Sequence, residues 1–187
     1  MSFHNICSKT DRALVAYLTA YGIPGGIWPA KRSLDKALPV TVCYSHSATP
    51  LQDAPFAGIY TVTAYVEVRS DGVVEATQGT DDPRLNSDDL FAAVADAFWL
   101  GDDSASNKLA EAITNAARAS GQEDLGQFTI QSVLVSGHSQ GFNPRATQQQ
   151  GNAWVDSVHL EMVCCRPLIG LMGSSGCWNG ILARSMY

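Results

Sequence analysis

The chain has 187 residues, of which 45% are apolar, so a single domain can bury a sizeable core and wholesale disorder is excluded. Charged residues make up only 16%, against about 25% in a typical globular protein. The 12 basic and 18 acidic side chains give a net charge of −6. This acidic balance argues against nucleic-acid or anionic-membrane binding as the main function, because both need clustered lysine and arginine.

Neither a targeting signal nor a zinc motif is found. The N-terminus has no basic patch followed by an apolar run, and no stretch reaches the roughly 18 apolar residues of a membrane span. We therefore expect a soluble protein made in the cytoplasm. The cysteines form no CxxC pair and no finger-like spacing with histidine. We expect reduced cysteines that act as small core residues, namely Cys7, Cys43, Cys164, Cys165 and Cys177.

The first predicted elements are a helix and a strand. The helix runs from a cap at Thr10 or Asp11 to Gly22, because apolar residues recur between them at helical spacing. Residues 27–37 are predicted to be irregular. Residues 39–46 alternate in polarity and are rich in β-branched side chains, so they predict a strand.

After a predicted loop at residues 47–56, residues 58–69 carry the strongest strand pattern in the chain. Apolar and polar side chains alternate along them, which is typical of a half-buried antiparallel strand. One predicted face holds Val62, Ala64, Val66 and Val68, and the other holds Thr61, Thr63, Tyr65, Glu67 and Arg69. Residues 73–80 are compatible with a hairpin that extends the sheet.

Two helices are predicted next. The first is capped by Ser87 and has aspartates in its first turn, where carboxylates suit the helix dipole. The second covers about residues 107–119 and closes at Gly121.

The last predicted strands are residues 128–135 and 153–163, with residues 142–152 between them as an exposed loop. Strands do not alternate with helices, which disfavours a doubly wound parallel sheet. We predict one α+β domain over residues 1–166, a mainly antiparallel four- to five-stranded sheet with two or three helices packed on one face. The predicted core comprises Leu14, Leu18, Val62, Val66, Phe91, Val94, Phe98, Ile113, Ile130, Val133, Val158 and Leu160.

Residues 137–141, Gly-His-Ser-Gln-Gly, follow a predicted strand and match the nucleophile elbow of serine hydrolases, with Ser139 as nucleophile. The downstream partners would be His159 and either Asp156 or Glu161. Asp156 and His159 lie three residues apart on one predicted strand, so we expect them on opposite faces. The pattern also leads into a turn and not a helix. We interpret Ser139 as a turn residue without a base partner and expect no catalytic residue, with a small serine hydrolase as the alternative.

Paired aspartates could collect a cation, but none has the spacing of a calcium loop, and carboxylates before helices are typical of caps. These pairs are Asp81-Asp82, Asp88-Asp89 and Asp102-Asp103. The histidines form no cluster with metal-ligand spacing, and no glycine loop precedes a basic residue as in phosphate sites. We expect no metal and no cofactor.

The order of several short features resembles a family of small tailed-bacteriophage proteins, the tail-terminator and neck (head–tail connection) proteins. The features are a helix at residues 12–21, Leu-Pro-Val-Thr-Val at 38–42, an alternating strand at 60–69, Asp81-Asp82 before a helix, Phe-Thr-Ile at 128–130, Gly-x-x-Trp at 151–154 and Cys-Cys-Arg-Pro at 164–167. The resemblance covers roughly residues 10–166.

This resemblance implies a structural virion protein and not an enzyme. Family members form rings, commonly hexamers, that cap the head-proximal end of the tail tube and offer a surface to the head–tail connector or stopper protein. The implied partners are further copies of the chain, the major tail-tube protein and the connector, with DNA only passing through the lumen and no membrane. A ring of six would carry six times −6, about −36, and an acidic lumen repels DNA. Another neck or tail-completion protein is the alternative within this class.

The C-terminal arm, residues 167–187, has no charged side chain as far as residue 183, and its glycines are too frequent for a stable helix. A free segment of this kind would expose apolar surface, so we expect it to lie against its own sheet or a neighbouring subunit. We favour the neighbour, with Trp178 as anchor, and a disordered end is the alternative. The candidate interface residues are Leu168, Ile169, Leu171, Met172, Trp178, Ile181 and Leu182.

Overall fold

Helices and strands account for most of the chain that the computed structural model describes. The described residues are 3–33, 36, 38–51, 58–71, 83–99, 105–143 and 153–165. The helices are α1 (Phe3–Tyr21), α2 (Pro83–Phe98) and α3 (Ala105–Ala119), with short 3-10 helices η1 (Ala30–Arg32) and η2 (Glu123–Leu125). The strands are β1 (Gly26–Pro29), β2 (Val40–Pro50), β3 (Ile59–Asp71), β4 (Thr129–Asn143) and β5 (Ala153–Cys165).

The strands form one sheet in the order β1-β2-β3-β5-β4. β1 pairs with β2 in parallel, and the other three neighbouring pairs are antiparallel. The α+β class is therefore confirmed, and the sheet is mixed although largely antiparallel.

All three helices contact the same face of the sheet. The Thr10 hydroxyl of α1 lies 3.7 Å from the Cys164 sulfur on β5, and the Thr114 hydroxyl of α3 accepts from the Ile130 amide of β4 at 3.0 Å. α2 packs on β3 and β5, so the three helices form a single layer. This side of the sheet is the helix face, and the opposite side is the second face.

Alternation along β3 places the core on the helix face. Val62, Ala64, Val66 and Val68 are fully buried, as predicted, and the intervening residues point to the second face. The other predicted core residues are also buried, except that Phe91 is half-buried against the cluster. The prediction missed the buried Leu125 and Phe128, which precede β4 in a short irregular stretch without periodicity.

Helix starts differ from the predicted caps. α1 begins at Phe3, so Thr10 and Asp11 lie inside it and are not N-caps. The Thr10 hydroxyl donates to the Ile6 carbonyl at 3.0 Å, and the Asp11 carboxylate accepts from Ser45 at 2.7 Å. The Thr10 side chain therefore bonds within α1, and the Asp11 side chain bonds across to β2.

Other boundaries agree only in part. α1 ends as predicted at Gly22, whose φ of +92° lets two amides, its own and that of Ile23, reach the Leu18 carbonyl at 3.1 Å. α2 begins at Pro83, a residue that suits the first turn, so Ser87 is not its cap. β1 lies in the segment predicted to be irregular, since four residues are too few to show a period.

Three of the cysteines are buried, Cys43, Cys164 and Cys165, while Cys7 is half-buried. Burial raises the pKa of the Cys164 thiol to about 12 and also raises the pKa of Cys43, so both remain uncharged at neutral pH. These residues behave as small apolar core side chains, as predicted. Cys177 lies outside the described residues.

Several predicted features fall outside the described residues, namely the hairpin at residues 73–80, Asp81, Asp82, Asp102, Asp103 and the whole C-terminal arm. Among the described helices, none is long and apolar enough to cross a membrane.

Candidate functional site

The Gly-His-Ser-Gln-Gly pattern lies within β4 and is not a turn, so the predicted conformation of Ser139 was wrong. β4 pairs with β5 along this stretch, with Ser139 opposite Ser157 and Gly137 opposite His159. Ser139, Ser157 and His159 therefore share the second face. Two glycines this close together are typical of a turn. Here both lie in a strand that is hydrogen-bonded to its neighbour, and this strand pairing cannot be read from the local sequence.

These three side chains form a compact polar cluster. The Ser139 Oγ lies 2.7 Å from the Ser157 Oγ and 2.9 Å from the His159 Nε2, and the Ser157 Oγ lies 3.0 Å from the same nitrogen. Ser139 is exposed and His159 half-exposed, while Ser157 is buried. The expectation that Ser139 has no base partner was therefore also wrong.

The hydrogens available limit what this cluster can do. Each serine hydroxyl brings one hydrogen, and the Nε2 of a neutral imidazole either accepts or donates but does not do both. At most two of the three short contacts are then hydrogen bonds at one moment. The imidazole is shared between two hydroxyls, and so it is not dedicated to activating Ser139.

Among the described residues no carboxylate hydrogen-bonds the His159 ring, although Glu161 shares the second face with it. Asp156 pairs with Val68 and Gln140 on the helix face, so it points away from His159, as predicted. Within the described ranges, the hydrogen bonds of the His159 ring are both made at Nε2. A carboxylate that fixes the imidazole from Nδ1 is what orients the base in serine hydrolases.

An aromatic row continues from His159 across the second face. The Tyr65 ring meets the His159 ring edge-on at 4.8 Å between centroids and stacks on Tyr44 at 5.2 Å. His46 approaches Tyr65 at 6.3 Å. The strand pattern predicts Tyr65 on this face. The other rings of the row become its neighbours through the register of the strands, and this register cannot be read from the sequence.

A charged pair lies beside the row. Arg69 donates two hydrogen bonds to one Glu67 oxygen, at 2.7 and 2.9 Å, and the Tyr44 hydroxyl donates to the other at 2.8 Å. Burial, followed by the charge and hydrogen bond of Glu67, raises the pKa of Tyr44. The Glu67 carboxylate thus has both oxygens engaged, one by Arg69 and one by Tyr44.

The described residues contain no group of three or more histidine, cysteine or acidic side chains that could hold a metal ion. Asp89, which belongs to one of the aspartate pairs considered above, is exposed on α2. The predicted interface residues of the C-terminal arm lie outside the described part, so their placement stays a prediction.

Large exposed apolar side chains mark other surfaces. Trp99 is 76% exposed after α2, Leu134 is 58% exposed on β4, and Tyr21 is 51% exposed at the end of α1. The Tyr17 ring lies between Tyr21, at 6.1 Å, and Phe98, at 5.7 Å, so the ends of α1 and α2 meet. Exposed aromatic side chains of this size are enriched at protein interfaces.

No family model matches the chain, and no curated protein matches it either.

Proposed function

We propose that this protein is a structural virion protein, a phage tail terminator whose ring caps the tail tube and joins it to the head–tail connector. Its partners are then further copies of the chain, the major tail-tube protein and the connector or stopper. DNA passes through the lumen without being bound. The protein is assembled in the host cytoplasm and ends in the neck of the virion.

The observation that carries this proposal is the order of elements. Residues 12–21 lie in α1 and residues 60–69 in β3, while residues 38–42 and 128–130 lead into β2 and β4. α2 begins at Pro83, directly after the Asp81-Asp82 pair. The motifs that carry the resemblance, as far as they are described, therefore lie in helices and strands or directly before them, in the same order along the chain.

The surface supports assembly. The exposed Trp99, Leu134 and Tyr21 are the kind of side chains that subunit contacts bury. A net charge of −6 per chain also suits a ring through which DNA passes, because like charges keep the DNA from adhering.

The test combines sizing of the purified chain with electron microscopy of polymerising tail-tube subunits. We expect a ring-sized species in light scattering, and tubes that stop growing and carry a ring at one end. Heat-denatured protein is the control. A chain that stays monomeric and leaves the tube-length distribution unchanged contradicts the proposal. A ring that binds the connector but not the tube indicates another neck or tail-completion protein.

A second candidate function is a small serine hydrolase, favoured by the 2.9 Å contact between Ser139 and His159. The test is turnover of a short activated ester by the wild-type chain, Ser139→Ala and His159→Ala. Equal loss of turnover in both variants, with labelling of Ser139 by a fluorophosphonate, supports the hydrolase. Turnover that does not exceed the buffer rate removes it.

A further inference from the structure

We infer that the free edge of β4 is a docking site for the C-terminal arm of a second copy of the chain, which adds to the sheet as a further strand. The inference rests on the proposed ring, since it names the surface through which one subunit engages the next. Each copy would then accept one arm and donate one.

The edge strand β4 lacks the residues that usually protect an edge. β4 is the last strand of the sheet within the described residues, and it is a long one, Thr129–Asn143. It carries no Asp, Glu, Lys, Arg or Pro, and Leu134 and Gln140 are exposed on it. Monomeric proteins usually protect edge strands with charge or proline, because unpaired backbone groups recruit other strands. The opposite edge, β1, is short and ends in Pro29.

Part of β4 has a backbone regular enough to pair with a further strand at its outer edge. Its register with β5 shifts between Ile130 and Ser132 and between Val135 and Gly137, and such bulges twist an edge away from partners. From Gly137 to Asn143 the register is uninterrupted.

The C-terminal arm is uncharged as far as residue 183, largely apolar and able to extend. Residues 167–183 contain no charged side chain, and their glycines permit an extended path. Alternate apolar side chains of an added strand could lie on either face, while the backbone hydrogen bonds supply an affinity that does not depend on charge. We therefore assign the arm to this edge.

A neighbouring copy is favoured over the same chain by distance. The arm begins two residues after Cys165, which pairs with Thr129 at the far end of β4 from the regular stretch. Thr129 and Gly137 are eight positions apart, about 26 Å at roughly 3.3 Å per residue. An arm that folds back on its own subunit would need much of its length to pass the half of β4 that contains the two bulges. An arm from a neighbour has no such constraint, and the head-to-tail contact it makes can close a ring.

The direct test is a disulfide between two differently tagged full-length chains. The acceptor carries Gln140→Cys and Cys177→Ser, and the donor keeps its native Cys177. We expect a mixed-tag covalent dimer after mild oxidation. Because backbone pairing allows more than one register, His138→Cys and Ser139→Cys acceptors, both within the regular stretch, are tested in parallel. The matched control is Asn115→Cys with Cys177→Ser, since Asn115 is exposed on α3.

A second test uses charge. Gln140→Lys places a cation on the regular stretch, and we expect at least a tenfold loss of assembly with an unchanged monomer melting temperature. Asn115→Lys adds the same charge on the exposed side of α3 and should assemble normally.

The inference is overturned if no acceptor position cross-links, or if a single chain that combines Gln140→Cys with the native Cys177 forms only an intramolecular disulfide. Normal assembly of Gln140→Lys overturns it as well. If rings form and cap tubes in these cases, the proposed function stands without this interface. If neither rings nor capping are seen with the wild-type chain, the proposed function itself fails.

Discussion

His159 shows how the sheet combines residues that are remote in sequence. Its Nε2 is within 3.0 Å of two serine hydroxyls, one on the neighbouring strand β4 and one two residues away on β5. The ring is also held edge-on by Tyr65 from β3. Three strands therefore define one polar and aromatic cluster, in which the histidine is positioned by packing and by its Nε2 contacts.

The substitution Ser139→Ala is expected to change the free energy of unfolding by less than about 1 kcal/mol. Ser139 is exposed, and Ser157 keeps its 3.0 Å contact with His159 when the Ser139 hydroxyl is removed. Assembly should also be unchanged. Urea unfolding of Ser139→Ala, with the exposed Ser136→Ala as control, measures the difference. Specific fluorophosphonate labelling that disappears in Ser139→Ala and on boiling contradicts this non-catalytic interpretation.

The substitution Val66→Asp is expected to cost several kcal/mol of unfolding free energy. Val66 is fully buried on the helix face of a central strand, where a carboxylate would lose its hydration without gaining a partner. Thermal melting measures the effect, and Thr49→Asp at an exposed position of β2 is the control. Equal melting temperatures for Val66→Asp and the parent chain would show that the assignment of strand faces is wrong.

At the scale of elements, α1 is tied to the segment that leads into β4. The Lys9 ammonium donates to the Asp124 carbonyl at 2.6 Å, and the Arg12 guanidinium binds the Asp124 carboxylate and donates to Gln122 at 3.0 Å. The hydrogen bond from Arg12 is the main cause of a lowered pKa of Asp124; partial burial opposes it, and the charges of Arg12 and Lys9 add to the lowering. These contacts bring η2 onto the N-terminal helix.

This pair predicts a pH dependence. Because the Asp124 pKa is lower in the folded chain, its stabilisation is present above the unfolded value of about 3.9 and is lost as the pH falls through the folded value. Arg12→Ala should therefore lower the melting temperature at pH 7 and have less effect at acid pH. The cost stays under about 1 kcal/mol because both side chains are partly exposed and solvent screens the pair. Calorimetry across pH, with the exposed Arg32→Ala as control, tests it; a pH-independent difference contradicts it.

At the scale of the whole molecule, the C-terminal arm is expected to govern assembly more than folding. Truncation after Arg166 should leave a folded subunit, since the core cluster lies within residues 6–164. The same truncation should prevent ring closure, because the apolar arm is removed. Light scattering and thermal melting of the truncated chain measure both effects. Ring assembly with a melting profile like that of the full-length chain would remove the case for the arm.

Much of the architecture followed from local pattern. The alternation over residues 58–69 identified β3 and both of its faces, and the spacing of apolar residues identified the core of α2 and α3. These predictions succeeded because side-chain periodicity reflects burial on one face of an element. Boundaries were less accurate, since Thr10, Asp11 and Ser87 resemble caps in sequence but lie within helices.

The fold class, the apolar faces of the predicted elements and the scarcity of charge can be read from the sequence, because these depend on residue type and local period. That β1 joins the sheet, that residues 137–141 continue β4 and that Ser139 lies beside His159 are seen only in the folded chain. Each of these depends on which strands pair and in what register. Pairing is set by the packing of the whole sheet against its helices, and a one-residue change of register would carry every side chain to the other face.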